Sequence, residues 1–474
     1  MSKLHLPVVN GESGELQSSL RADGSRNWVQ PADVRGRFVR ARRLVFLLLA
    51  AIWAVIPWLK VKGRPALMLD IEHRQFYMFG ATFNAQDIWL LFFLLTGVGF
   101  VLVFSTALLG RVWCGWACPQ TVFLEGLFRP IERLLEGGRE ERIRRDKGPW
   151  NLDKIARKFV KQVIFFLLAA FVAHVFVGYF VSLPQLFEMM RHRPSEHPEA
   201  FGWAFALTAA FYGNFARFRE QLCVGLCPYG RLQSLLVDQD SLVVGYDKKR
   251  GEPRGKATDP NAGACVDCKR CIAVCPTGID IRNGLQLDCI ACSACIDACD
   301  EVMVKLDRAP GLVRYDSLNG LAGLQKRIWR PRVWLYLAFG VVGFVVAVAA
   351  SRKHSSFEAN LLRVPGMPFM LDGDLVRNAF TIHLVNKQPE AIVFHVEPDA
   401  ATGITWTIPM TDPKVEGLQG LSLPITATIK RSEMHGNIPI HIHVRGPDGE
   451  HLIEGTFVGP TAGVGKSSAA GSGP

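Results

Sequence analysis

Residues 265–299 read CVDCKRCIAVCPTGIDIRNGLQLDCIACSACIDAC, and this stretch decides how the rest of the chain is understood. Cys265, Cys268, Cys271 and Cys275 repeat as Cys289, Cys292, Cys295 and Cys299, so the pattern CxxCxxCxxxC occurs twice. Three thiolates spaced this closely let a tight loop wrap three corners of an iron–sulfur cube, while the fourth ligand comes from the other run. The spacing therefore assigns one 4Fe-4S cluster to Cys265, Cys268, Cys271 and Cys299, and a second to Cys289, Cys292, Cys295 and Cys275. Pro276 follows the first run as the pattern expects; Asp300 stands where a second proline would be and removes no ligand. A four-cysteine zinc site needs two CxxC knuckles well apart and leaves the extra cysteine of each run without a role. A disulfide framework belongs to small secreted domains, not to a crowded segment of a long chain. Electron transfer follows.

This is the spacing of a bacterial two-cluster ferredoxin, placed here in residues 233–332. Around it, 49% of the residues are hydrophobic and gather in long runs, each near the length a helix needs to cross a hydrocarbon core. The formal charge of +11 does not indicate nucleic acid, because Lys and Arg flank the apolar runs instead of forming one patch with interleaved aromatics. All 12 cysteines precede residue 300, which suggests that the C-terminal part occupies a compartment where free thiols are unwanted.

The expected order is a disordered basic tail (1–43), then a transmembrane region (44–232) with helices at Leu44–Leu59, Ile88–Leu109, Phe159–Leu183 and Phe201–Phe215. The ferredoxin domain follows, then a fifth helix at Val333–Ala350. The first run reads as an uncleaved anchor, since the residues before it exceed any ordinary signal-peptide n-region. The tail carries 8 Lys or Arg and residues 110–162 carry 12, against 4 in 60–87 and 2 in 184–199. The positive-inside rule then puts the tail and the ferredoxin segment in the cytoplasm of a bacterial inner membrane, and residues 351–474 outside. Residues 351–460 alternate in short β runs between Pro, Gly and Asp turns, the pattern of an immunoglobulin-like β-sandwich, with a flexible tail at 461–474. The fold class is thus a multi-domain membrane protein: an α-helical transmembrane bundle, a ferredoxin domain and a β-sandwich.

The two halves of the membrane region each end in CxxxCP, at Cys114 and Cys118 in one and Cys223 and Cys227 in the other. Parallel repeats often place the working site between them. These four are buried packing cysteines, two local disulfides, or a thiol site for redox exchange or a soft metal such as Cu(I); a third cluster has no spacing argument behind it. Arg111, Trp113 and Trp116 read as interfacial anchors. His441 and His443, with Met434 and His435 near in sequence, read as a strand's solvent face sooner than as a copper site. His174 is the residue of its run best placed to meet a partner, quinone or haem, or to pack through a hydrogen bond.

The chain resembles the cytochrome c oxidase accessory family, CcoG, also called FixG or RdxA, through VWCGWACPQTVF, REQLCVGLCPYGRLQS, the doubled cysteine run and RVPGMPFMLDGDLVRNAFTIHLVNK. The resemblance implies assistance in assembling cbb3-type cytochrome oxidase by a cupric reductase, with copper ion as substrate. On that reading the eight cysteines of the doubled run are ligands of two 4Fe-4S clusters, and Cys114, Cys118, Cys223 and Cys227 are candidate copper or redox thiols. The implied partners are cbb3-type oxidase subunits or copper chaperones, a cytoplasmic electron donor and the lipid bilayer; a homodimer is compatible with the sequence, and nucleic acid is not expected. A quinol-linked conduit to a periplasmic reductase and a non-catalytic assembly scaffold are the alternatives.

Overall fold

The computed structural model describes residues 26–460, apart from short internal segments, of which the longest are 72–74, 84–87, 352–356 and 400–402. The C-terminal tail at 461–474, residues 1–25 and His435 lie outside the described residues. Two units are present: residues 348–460 form one with 81–88, and the remainder up to 347 form the other.

In the larger unit the first helix, α1 (Arg37–Val55), ends at the Pro57 turn, so the first apolar run is interrupted before Leu59. Its N-terminal N–H groups are capped from far along the chain: Asp297 accepts from Phe38 N (3.3 Å) and Val39 N (2.8 Å). A side chain at Gly36 would collide with that carboxylate. Val29 and Val34 are buried, and Ala32 N donates to Ala273 O at 2.7 Å. The expected disordered tail is therefore corrected from residue 28 onward, because a few apolar residues and a distant cap fasten this arginine-rich stretch to the cysteine-rich segment.

Helix α2 (Ile88–Leu109) leads into α3 (Val112–Trp116), α4 (Pro119–Phe123), a π-helical turn (Leu124–Phe128) and α5 (Arg129–Glu136). Then come α6 (Arg139–Lys147), α7 (Leu152–Val177), α8 (Leu183–Arg191) and α9 (Pro198–Tyr212). Further π turns at Gly213–Phe218 and Leu222–Leu226 precede α10 (Pro228–Leu236). Among the described residues three helices are long and apolar enough to cross a membrane, within α2, α7 and Pro331–Ser351. The first and fourth runs are helical but fall short: α1 carries four arginines at its start, and α9 stops at 15 residues before its π turn. Two halves pack through Phe128, which stacks on Phe215 at 4.5 Å and meets Phe165 edge-on at 5.0 Å.

The ferredoxin segment is closed by an antiparallel strand pair, Val243–Tyr246 with Val313–Asp316, and carries one longer helix, Ala294–Lys305. It is not a separate body. The C-terminal carbonyls of α2 are taken up by its edges: Ala107 O accepts from Ser241 Oγ (2.7 Å) and Arg330 (2.9 Å), and Leu108 O from Leu242 N (3.0 Å).

In the smaller unit one sheet runs in the order Thr405–Thr407, Gly420–Lys430, Leu375–Asn386, Phe357–Arg363, with Met370–Asp372 paired to the third. A second sheet orders His395–Pro398, Ile438–Gly446, Gly449–Phe457. Alternation along Leu375–Asn386, up to Leu384, puts Val376, Phe380, Ile382 and Leu384 into one core with Ile440, Ile442 and Val444 of the other sheet. The sandwich expected from the β runs is present.

Candidate metal centre and its surroundings

Each cysteine run is wound by the same backbone device. Asp267 and Lys269 in the first run, and Ala291 and Ser293 at the matching positions of the second, have φ of 48°, 55°, 51° and 60°. None is glycine, and each left-handed residue costs roughly 1–2 kcal/mol. Such strain persists where the surroundings over-determine it; here it curls the chain between successive cysteines of each run.

The thiols of the two runs lie near enough to raise one another. Burial pushes Cys271 and Cys299 up to about 12, and each is raised further by the other set members, Cys268 with Cys299 for the former, Cys265 and Cys268 for the latter. Cys289 is likewise pushed up to about 12 by burial, with Cys292 and Cys275 adding to it. Cys295 is raised by burial and then by Cys292, Cys289, Cys275 and Cys271, so the two groups of thiols adjoin. Cys299 thus neighbours Cys265 and Cys268 of the first run, and Cys275 neighbours Cys289 and Cys295 of the second. Cys268 is exposed, and Cys275, Cys289, Cys292 and Cys295 line, together with Cys271, a cavity walled by Ile279, Ile281 and Ile290. An all-thiol donor set around an apolar cavity fits a 4Fe-4S cube, which supplies a reversible one-electron centre when bound.

The two CxxxCP motifs are built alike and meet. Cys118 N donates to Trp113 O (2.9 Å) and Cys227 N to Leu222 O (2.8 Å), both five residues back. Each second cysteine stands immediately before a helix whose first residue is proline, Pro119 in α4 and Pro228 in α10. Burial raises the Cys118 thiol while the N–H groups of Gln120 and Thr121 pull it down. The halves are joined by Gln120 and Asn214, whose side-chain amides exchange hydrogen bonds of 3.2 and 2.6 Å, and Gln120 also donates to Arg219 O (2.9 Å). As a result Cys223 is pushed up to about 12 by burial and then by Cys118, Cys114 and Cys227. Cys114 is pushed up to about 11 by burial and then by Cys118, and its thiol donates to Gln233 Oε1 at 3.2 Å. All 12 cysteines are free, so the local disulfides are not formed.

This quartet lies beside the second cluster loop. Gly115 is so close to it that a Cβ would stand 2.5 Å from Ile290 O and 2.9 Å from Cys292 Cα. Trp116, expected at the membrane interface, instead donates to Tyr315 Oη (3.1 Å), which donates to Ala291 O (2.6 Å). Arg111, likewise expected as an anchor, donates to Leu287 O and Gly230 O. Neither contact is visible in the sequence, since each joins segments more than a hundred residues apart.

A buried ion network underlies the site. Arg129 pairs with Glu125 and with Glu220 (3.1 Å) and donates to Pro276 O (3.3 Å); Glu132 takes Arg219 (2.8 Å), Arg142 (3.3 Å) and Lys161 (3.3 Å). His174 bonds its own helix at Ala170 O (2.7 Å), the packing arrangement, and His443 pairs with Glu450 (2.9 Å) on the outer face of its strand.

Comparison with known proteins gives 35% identity over 442 residues to the nitrogen fixation protein FixG of Rhizobium meliloti, covering 82% of this chain and 83% of that one. The chain belongs to the FixG family. Its members RdxA and RdxB of Cereibacter sphaeroides are 33% identical (85% of this chain, 87% of that one) and 35% identical (79% and 82%). Family models match residues 218–318 as a 4Fe-4S dicluster domain, 90–137 as a 4Fe-4S binding domain and 347–460 as the IG-like fold at the C-terminus of FixG. This FixG-family chain is therefore a 4Fe-4S electron-transfer protein with an IG-like C-terminal domain. The match at 90–137 takes in Cys114 and Cys118, an iron–sulfur signal that spacing alone did not give.

Proposed function

We propose that this FixG-family protein is a cupric reductase of the inner membrane that hands single electrons to copper(II) at Cys114, Cys118, Cys223 and Cys227, supplying Cu(I) for assembly of cbb3-type cytochrome oxidase. The observation that carries it is the seating of Gly115, between the first two of these thiols, directly on Ile290 and Cys292 of the second cluster loop. Thiols suit Cu(I), and one-electron centres suit a reaction that needs one electron per ion. Five crossings, a cytoplasmic ferredoxin segment and a periplasmic β domain for docking a chaperone or oxidase subunit complete the reading; the basic loops support that orientation.

The test mixes reduced protein with Cu(II) and a Cu(I) indicator. Cluster reoxidation matched by Cu(I) supports the proposal, and reoxidation without Cu(I) ends it. A second reading, favoured by the match at 90–137, gives the same four thiols to a third cluster. Iron analysis separates them: about eight irons per chain for two clusters, about twelve for three.

A further inference from the structure

Gln233 is fully buried, yet only half of its side-chain amide is used. It lies on α10, the helix that follows Cys227, and its side chain crosses to the other half of the repeat, where Oε1 accepts from the Cys114 thiol at 3.2 Å. Its Nε2 is shut off from solvent and has no hydrogen-bond partner among the described residues. The other amide pair joining the halves sets the contrast: Gln120 and Asn214 bond through both ends of both side chains. Buried amide donors are nearly always paired, so an orphan beside a metal-binding type of side chain calls for a partner. The backbone beneath Gln233 is held on both sides. Thr106 Oγ1 and Tyr229 Oη lie 2.6 Å apart, Arg111 donates to Gly230 O, and a Cβ at Gly230 would stand 2.9 Å from Cys223 O. What can move is the terminal amide, whose two-fold turn about its own bond puts Nε2 where Oε1 was.

A metal changes what Cys114 can offer. The thiolate, not the thiol, is the ligand. When a copper–sulfur bond forms, the S–H bond breaks, the proton leaves to water, and the sulfur keeps the electron pair that it shares with the metal. Cys114 then has no hydrogen for Oε1, and two acceptors would face each other across 3.2 Å. We propose that Gln233 is a positioning residue of the four-thiol site: Oε1 holds the Cys114 thiol while the site is empty, and the amide turns over to donate from Nε2 to the sulfur once Cu(I) is bound. The inference rests on the copper reading of Cys114, Cys118, Cys223 and Cys227 and names the group that answers the ligand's negative charge. The turned bond is charge-assisted, and the orphaned donor is the one that it satisfies. Groups of this kind, which touch a ligand and not the metal, set ligand orientation and metal affinity.

The test uses detergent-solubilised full-length holoprotein, with Cu(I) as the probe, titrated against a competing chelator. Gln233→Leu, which removes both ends of the amide, should bind Cu(I) about tenfold to a hundredfold more weakly than the parent, with iron and sulfide contents unchanged. Infrared difference spectra of protein carrying isotope-labelled glutamine give a readout that loosened packing would not produce. Loading the parent with Cu(I) should remove a thiol S–H band and raise one glutamine carbonyl frequency, as Oε1 gives up its hydrogen bond. That carbonyl shift should be missing from Gln233→Leu. A Cys114→Ser, Cys223→Ser double variant identifies the copper that the four thiols hold. If it binds Cu(I) as the parent does, the copper reading fails and this inference falls with it. If it loses Cu(I) while Gln233→Leu binds as the parent does, or if loading the parent leaves the glutamine carbonyl unmoved, the role given to Gln233 is overturned alone.

Discussion

Replacing Gly115 by alanine adds one methyl group where the structure has no place for it. The new Cβ would sit 2.5 Å from Ile290 O and 2.9 Å from both Cα and N of Cys292. All three are backbone atoms of the cluster loop, so no side chain can swing aside. Reaching ordinary contact at about 3.4 Å requires a shift of about 0.9 Å between α3 and that loop, and overpacking of this kind costs about 1–3 kcal/mol. The shift also moves Cys114 relative to Cys292. Gly97→Ala provides the control, because a Cβ there meets nothing within 4 Å. The assay is the rate of cluster bleaching on heating, read at the visible absorbance, together with the EPR line shape of the reduced protein. Gly115→Ala should bleach roughly fivefold to a hundredfold faster if the strain is fully relieved on the way to cluster loss, while Gly97→Ala matches the parent. Equal bleaching rates and identical spectra for Gly115→Ala would refute the close seating of the CxxxCP motif on the cluster loop.

Glu132→Gln leaves Arg142, Lys161 and Arg219 buried around a neutral amide and should cost about 3–5 kcal/mol, seen as a lowered denaturation midpoint in detergent. The same carboxylate, opposed by burial but drawn down to about 2 by Arg219, Lys161 and Arg142, has a depressed folded-state value. Its contribution is therefore complete above about pH 4.5 and is lost as pH falls through about 2; an acid titration of the parent should lose stability in that window, and Glu132→Gln should lose less there. In the β-sandwich, Asn386 donates to Glu390 O (2.7 Å), Val415 O (3.1 Å) and Glu416 O (3.2 Å), so Asn386→Ala should lower the sandwich's unfolding free energy by about 2–4 kcal/mol, read from denaturant titration, without altering cluster spectra. Cys268→Ser and Cys292→Ser should each abolish the signal of a different cluster, and oxidase maturation that survives in a folded double variant would favour the scaffold reading.

The eight cluster cysteines were legible because a loop that wraps a cube is a local structure, and its periodicity is written in consecutive residues. The expected exchange of Cys275 and Cys299 between sets rests on the same local logic. The sandwich was legible in the alternation of Leu375–Asn386, a period that burial imposes directly. The meeting of Cys114 with Cys223 was suggested only by the repeat, and the contacts that bring it about were not legible, because they depend on Gln120 finding Asn214 across 94 residues and on a fully buried Arg129 bridging Glu125 and Glu220. Charge misled the reading of residues 28–43: the arginines that suggested a solvated tail include Arg42, which is buried against Cys292 O and Glu125. Trp116 was misread for a related reason, since a tryptophan after an apolar helix has the composition of a membrane anchor whether it faces lipid or Tyr315.

The most direct test of the central claim is EPR of the anaerobically reduced, purified chain with iron and acid-labile sulfide counted on the same sample. The account predicts magnetically interacting low-spin clusters with at least about eight irons and eight sulfides per chain. A colourless protein that holds zinc or no metal at Cys265–Cys299 after reconstitution would contradict it.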